Sequence, residues 1–198
     1  MIVTPVDLKL DLAPSSTERS PGLHMSDLYS DLYQDLEPER YVRGELPAPA
    51  LLAVGIALEQ YTEKLLLTAG LDATRPDEFR TPDEYSIAFS PDLLIANGQM
   101  RGGEIKATFM SARDWPTDES NELPPKAAKY VTQTKAYGHN LEIPEWYLLV
   151  WFLKGKWEKN ATENVLVDFR TYLLSYTARE MREEYQMLIN HGKHKGLL

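Results

Sequence analysis

Asp92, Glu104 and Lys106 are the residues whose types and spacing most suggest chemistry. They flank Asn97-Gly98-Gln99-Met100, and Asn-Gly favours a hairpin turn because both residues tolerate positive φ. If Tyr85–Ala96 is one strand and Arg101–Thr108 the next, a turn near Gly98 sets Asp92 roughly opposite Glu104. Side chains alternate faces along a strand, so Glu104 and Lys106 share one face and Ile105 and Ala107 the other. Leu93 and Ile95 are then available to pack behind the cluster. Two facing carboxylates repel, and a divalent cation between them would resolve the repulsion.

Other elements must present the partners of this hairpin. A helix over about 50–69, ending at Gly70, carries Glu59 in a row with Leu52, Gly55, Ile56 and Leu66, and Glu63 lies one turn further on. A buried carboxylate at Glu59 calls for an ion pair or a metal, whereas an exposed one is plain surface. The neighbouring row of Leu51, Val54, Leu58, Tyr61 and Leu65 reads as the core face. A further helix, Lys126–His139, aligns Lys126, Lys129, Gln133 and Tyr137, a row that suits a phosphate backbone but also fits a solvated face.

Around these lie residues 1–20, read as an extended arm, and a helix from a Ser26 cap to Leu36 with Leu28, Leu32 and Leu36 at helical spacing. Ser111–Pro125 reads as a polar loop. Trp146–Leu153 reads as a buried strand paired with Val165–Phe169 across a turn at Lys154-Gly155-Lys156. A last helix is expected over Tyr172–Ile189, followed by a tail from Gly192. The order helix–helix–β–β–α–β–β–α describes an α/β fold, a central mixed sheet flanked by helices, in one domain spanning 21–198.

The 198 residues suffice for one domain with a proper core. With no cysteine there is no disulfide and no cysteine-held zinc or iron–sulfur cluster, which fits a reducing compartment. No signal peptide is evident, and the longest apolar run is about half a bilayer span, so a cytoplasmic protein without membrane association is expected. The net charge of −9 opposes nucleic-acid binding unless basic groups are concentrated locally.

Taken in order, Gly55-x-x-x-Glu59, Pro91-Asp92, Glu104-x-Lys106 and Gln133-x-x-x-Tyr137 resemble the PD-(D/E)xK nuclease superfamily, above all its RecB-type, lambda-exonuclease-like branch. The resemblance covers about residues 50–140 and implies a restriction-endonuclease-like core. It implies that Asp92, Glu104 and the Ile105 carbonyl hold Mg²⁺, with Mn²⁺ as a substitute. Glu59 would stand where many RecB-type members carry a histidine ligand. It implies that Lys106 orients or helps deprotonate the attacking water, and that Gln133 and Tyr137 position DNA. Arg19-Ser20-Pro21-Gly22-Leu23-His24 resembles the first-helix entry of phage-encoded relatives, where Arg19 or His24 would meet a DNA end or phosphate; a plain helix-entry turn is the competing reading. The implied activity is a metal-dependent deoxyribonuclease, preferably an exonuclease in phage or bacterial recombination or DNA processing, working in the host cytoplasm if phage-encoded. A structure-specific endonuclease, a non-catalytic assembly partner on the same fold and an unrelated α/β protein are the alternatives. A DNA-processing partner protein and a homo-oligomer are both compatible with the sequence.

Overall fold

The computed structural model describes residues 19–41, 49–108, 112–116, 123–153 and 167–198. The arm, apart from Arg19 and Ser20, the turn at Lys154-Gly155-Lys156, Val165 and residues 111 and 117–122 of the polar loop lie outside these residues.

Helix α1 (Met25–Leu36) begins two residues earlier than a Ser26 cap predicts. His24 is its N-cap, and the His24 backbone N–H donates to Asp27 Oδ2 at 3.1 Å. Ser26 Oγ instead accepts from Arg19 at 2.7 Å. Its buried side is Met25, Leu28, Tyr29, Leu32 and Tyr33, while Leu36 is exposed. Helix α2 (Pro49–Thr68) ends as expected before Gly70, whose φ of 81° only glycine takes without strain. Leu58, Leu65 and Leu66 pack on the core, but Val54 and Tyr61 face outward, so the expected apolar row is only partly buried.

The long strand expected over Tyr85–Ala96 is broken. Strand β1 (Asp72–Thr74), not foreseen, is followed by β2 (Phe79–Arg80) and β3 (Ala88–Phe89), which pair in a separate two-stranded sheet. Pro91 has no N–H for a ladder, and the chain re-enters strand only at β4 (Leu93–Asn97). The hairpin is tighter than predicted, with Asn97 paired to Gln99 and Gly98 alone at the tip, φ 75°. Strand β5 (Gln99–Thr108) therefore starts two residues early. The register is the expected one: Leu93 faces Gly103, and one step on Asp92 comes level with Glu104.

A short 3₁₀ turn at Pro125–Ala127 leads into α3 (Ala128–Leu141), the crossover to β6 (Glu145–Leu153), which runs parallel to β5. Strand β7 (Val167–Ser175) returns antiparallel, completing a mixed sheet of order β1-β4-β5-β6-β7. Tyr172 thus belongs to a strand, not to the last helix. Helix α4 (Ala178–Lys195) starts where Thr177 accepts from the Glu180 N–H and Glu180 reaches back to Thr177, a capping box, and it absorbs most of the expected tail.

The sheet is covered on both faces. Trp146 points to α1, α3 and α4 in one apolar cluster, while Leu149 and Trp151 meet Leu93, Ile95 and Ile105 beneath α2 in another. A third cluster around Leu148, Val150 and Phe152 includes Trp115, so the loop read as polar is pinned to the sheet by a buried indole. A Cβ at Gly102 would lie 2.3 Å from the Trp146 ring, which explains a glycine inside a central strand. No helix among the described residues is long and apolar enough to cross a membrane.

Candidate active site

The site forms where β4 stops and β5 continues. Ile105 is past the end of the β4 ladder, and its N–H donates to Asp92 Oδ2 at 2.7 Å instead of to a strand. The N–H and C=O of one strand residue point to the same edge, so the Ile105 carbonyl opens toward Asp92 as well. Ile105 itself packs beneath α2, whereas Glu104 and Lys106 face α3, as period two predicts.

Glu104 is 1% exposed. Its Oε1 accepts from Lys106 Nζ and, at 2.6 Å, from Gln133 Nε2. Its Oε2 is buried and has no hydrogen-bond partner among the described residues. A buried, unpartnered carboxylate oxygen is costly, and a cation is the usual means of satisfying it. Burial, followed by the Asp92 carboxylate, pushes the Glu104 carboxyl up to about 8, against the opposing pull of Lys106. For Lys106, burial opposes the charge, but Glu104 and Asp92 outweigh it and hold the ammonium above the ordinary lysine range.

Gln133 and Tyr137 stand one turn apart on α3 and are both buried, Gln133 donating to the Tyr137 hydroxyl at 3.3 Å. A Gln-x-x-x-Tyr row thus reaches Glu104 directly. Tyr29 and Tyr130 were missed by the sequence reading. Tyr29 lies under the site, and burial lifts its phenol to about 12, with smaller effects of Lys106, Glu104, Tyr137 and Asp92. The Lys106 ammonium lies 5.5 Å from the Tyr130 ring centroid. Tyr29 and Tyr33, four apart among apolar neighbours, were the available signal: an aromatic with a polar tip on a buried helix face needs a partner for its hydroxyl.

Glu59, expected as a cation ligand, is held by Arg75. Its Oε2 accepts from Arg75 at 2.6 Å, and Arg75 also reaches Glu63 at 3.5 Å. Burial and then Asp92 raise the Glu59 carboxyl, while Arg75 and Lys106 pull it down, so it lies within electrostatic reach of the cluster. Glu59, Asp92 and Glu104 do not close as a trio within 4.8 Å; among the described residues that spacing occurs at Asp31, Asp35 and His191, between α1 and α4. There Asp31 meets His191 at 2.9 Å and Asp35 meets Lys195 at 2.5 Å.

Arg19 and His24 are engaged at the entry to α1. Arg19 pairs with Asp27 at 2.7 Å, and His24 Nε2 contacts the Ser20 carbonyl at 3.0 Å. Lys126 sits in the 3₁₀ turn ahead of α3, and Lys129 follows on the first turn of the helix.

The donors that converge at Glu104 are all oxygens: the free carboxylate oxygen, Asp92 and the Ile105 carbonyl. Oxygen donors with an adjacent ammonium suit a hard divalent cation such as Mg²⁺ or Mn²⁺ better than a soft metal.

No family model matches the chain, and neither does any curated protein sequence. Solved structures do. A phage-related exonuclease from Haemophilus somnus superposes with a TM-score of 0.53 at 16% identity, over 84% of this chain and 77% of that one. An alkaline exonuclease from Laribacter hongkongensis gives a TM-score of 0.50 at 12% identity, over 88% of this chain and 89% of that one. At such identities the likeness speaks for the fold alone: this chain shares with these two exonucleases an α/β fold, a central mixed five-stranded sheet flanked by helices.

Proposed function

We propose that this protein is a metal-dependent nuclease that hydrolyses DNA phosphodiester bonds from DNA ends, in recombination or DNA processing. The observation that carries the proposal is the unpartnered Oε2 of Glu104, buried beside Asp92 and Lys106. The names of the two exonucleases that share the fold support the choice of reaction.

Glu104, Asp92 and the Ile105 carbonyl would hold Mg²⁺ or Mn²⁺. When bound, such an ion lowers the pKa of a coordinated water and neutralises charge on the phosphate. Glu59 is a further donor only if Arg75 lets it go. Glu104 and Asp92 favour the charged form of Lys106, against burial. As an ammonium it would orient the water and stabilise the developing negative charge. Gln133 fixes the Glu104 rotamer through Oε1, leaving Oε2 for the cation. Tyr137 holds Gln133 from the other side, and the two keep the carboxylate from swinging toward Lys106 alone. Lys126 and Lys129, at the start of α3, would follow a DNA strand past the carboxylates, with Arg19 and His24 as more distant contacts at the α1 entry, whereas the buried Gln133 and Tyr137 act on DNA only through Glu104.

End-labelled linear DNA, closed circular DNA and single-stranded DNA, each incubated with Mg²⁺ and with Mn²⁺, test the proposal. Expected are nucleotides released from linear substrates, an intact closed circle, and losses of at least on the order of 10²-fold in Asp92→Ala and Lys106→Ala proteins that keep the wild-type circular dichroism. Wild-type protein that cuts none of these substrates would overturn it. The net charge of −9 then favours a non-catalytic partner on the same fold.

A further inference from the structure

Lys129 is placed unlike the lysines around it. Lys106 faces Glu104, Lys135 faces Glu184 at 3.7 Å and Lys195 faces Asp35 at 2.5 Å. The Lys129 ammonium faces rings instead, 5.4 Å from the Tyr29 centroid and 4.9 Å from that of Tyr41. Among the described residues no carboxylate pairs with it. It is partly buried, and burial, with Lys106 next, draws its ammonium below the ordinary lysine value.

Each ring contact is worth about 0.5–2 kcal/mol, so two of them fix the position of the ammonium without neutralising it. A second ammonium, Lys106, is close enough to repel it. A cation held in place, partly desolvated and paired with no carboxylate among the described residues can serve as an anion site, since a bound anion would relieve both the burial and the repulsion. The cradle is also wired to the carboxylates. Tyr29 is an electrostatic neighbour of Tyr137, whose hydroxyl accepts from Gln133, and Gln133 also donates to Glu104. Lys129 precedes Gln133 by four residues, about one helical turn, a spacing on the scale of one nucleotide of backbone.

We propose that Lys129, gripped between Tyr29 and Tyr41, is a subsite for the DNA phosphodiester neighbouring the one cut, and that it engages DNA without the metal. This rests on the nuclease reading for the identity of the anion. It predicts a division of labour: the carboxylates need a cation before they can approach DNA, whereas the cradle binds a phosphate on its own.

Fluorescence anisotropy with a labelled single-stranded DNA oligonucleotide in excess chelator tests the subsite separately from cleavage. Wild-type protein is expected to bind, with log K falling linearly in log salt. Lys129→Met keeps the packing of the stem and should weaken binding about tenfold, with the salt slope shallower by about 0.7. Lys129→Arg should restore both. Tyr41→Leu, which leaves the charge but opens the cradle, should weaken binding by a smaller factor. Lys64→Met, on the exposed side of α2, should change the Kd by no more than about twofold, the size of an exposed charge effect. Equal melting temperatures confirm that the variants are folded.

Two results overturn the subsite: wild-type protein that does not bind without metal, or Lys129→Met protein with the wild-type Kd and slope. If either occurs while wild-type protein still cleaves DNA with Mg²⁺, the nuclease reading stands and the subsite falls. If binding depends on Lys129 but no substrate is cleaved, the reverse holds.

Discussion

Binding of the divalent cation should expel a proton, and the burial of Glu104 sets how strongly. In the metal-free protein the Glu104 carboxyl ionises near pH 8, because it is dry and shares its surroundings with Asp92. A cation needs the ionised form, so below pH 8 it must displace that proton. About one carboxyl in a hundred is ionised at pH 6 and about half at pH 8, so the apparent affinity should fall about fifty-fold, or about 2 kcal/mol, between them. Titration calorimetry with Mn²⁺ at pH 6, 7 and 8, in buffers of different ionisation enthalpy, reads the affinity and the proton count together. Close to one proton should be released at pH 6 and about half of one at pH 8. Glu104→Gln should bind Mn²⁺ weakly and release none. An affinity that is flat from pH 6 to pH 8, with no buffer-dependent heat, would show that Glu104 is already ionised in the free protein and refute the reasoning.

Three further outcomes follow from the same contacts. The Glu104 carboxyl is raised in the folded state, so the stability it contributes is full below about pH 4.5 and lost as pH rises through 8; urea midpoints in chelator should fall across that window, and saturating Mg²⁺ should flatten the slope. Gly102→Ala drives a Cβ into Trp146 and should cost about 1–3 kcal/mol, read as a lower melting temperature with the fold retained. Trp115→Ala removes a buried ring packed against Phe152 and Tyr172 and should cost about 3–5 kcal/mol, far more than for an exposed residue of a polar loop, as its denaturation midpoint would show.

The parts of the site that depend on local periodicity were legible in the sequence. Asn-Gly set the turn, the turn set Asp92 level with Glu104, and period two put Lys106 beside Glu104 and Ile105 beneath α2. The four-residue spacing of Gln133 and Tyr137 likewise gave one helix face, though not that Gln133 bonds to Glu104 itself. What was hidden depends on contacts between distant segments. Arg75 claims Glu59 from sixteen residues away, and Tyr29 comes from α1 to meet Tyr137, more than a hundred residues later. Neither pairing leaves a periodic trace. The misplaced start of the last helix has a different cause. Tyr172, Leu173 and Leu174 suit a helix or an edge strand equally well, and the deciding signal was the Thr177-x-x-Glu180 capping box further along. The strand expected through Ser90 failed because Pro91 cannot join a ladder, and that same break exposes the Ile105 edge to Asp92.

Crystals grown with Mn²⁺ and measured at the manganese absorption edge put the central claim to its most direct test. An anomalous peak about 2.2 Å from Glu104 Oε2, shared with Asp92 and the Ile105 carbonyl, is the predicted result. Crystals saturated with Mn²⁺ that show no peak there, with Oε2 of Glu104 bonded to a protein donor instead, would contradict it.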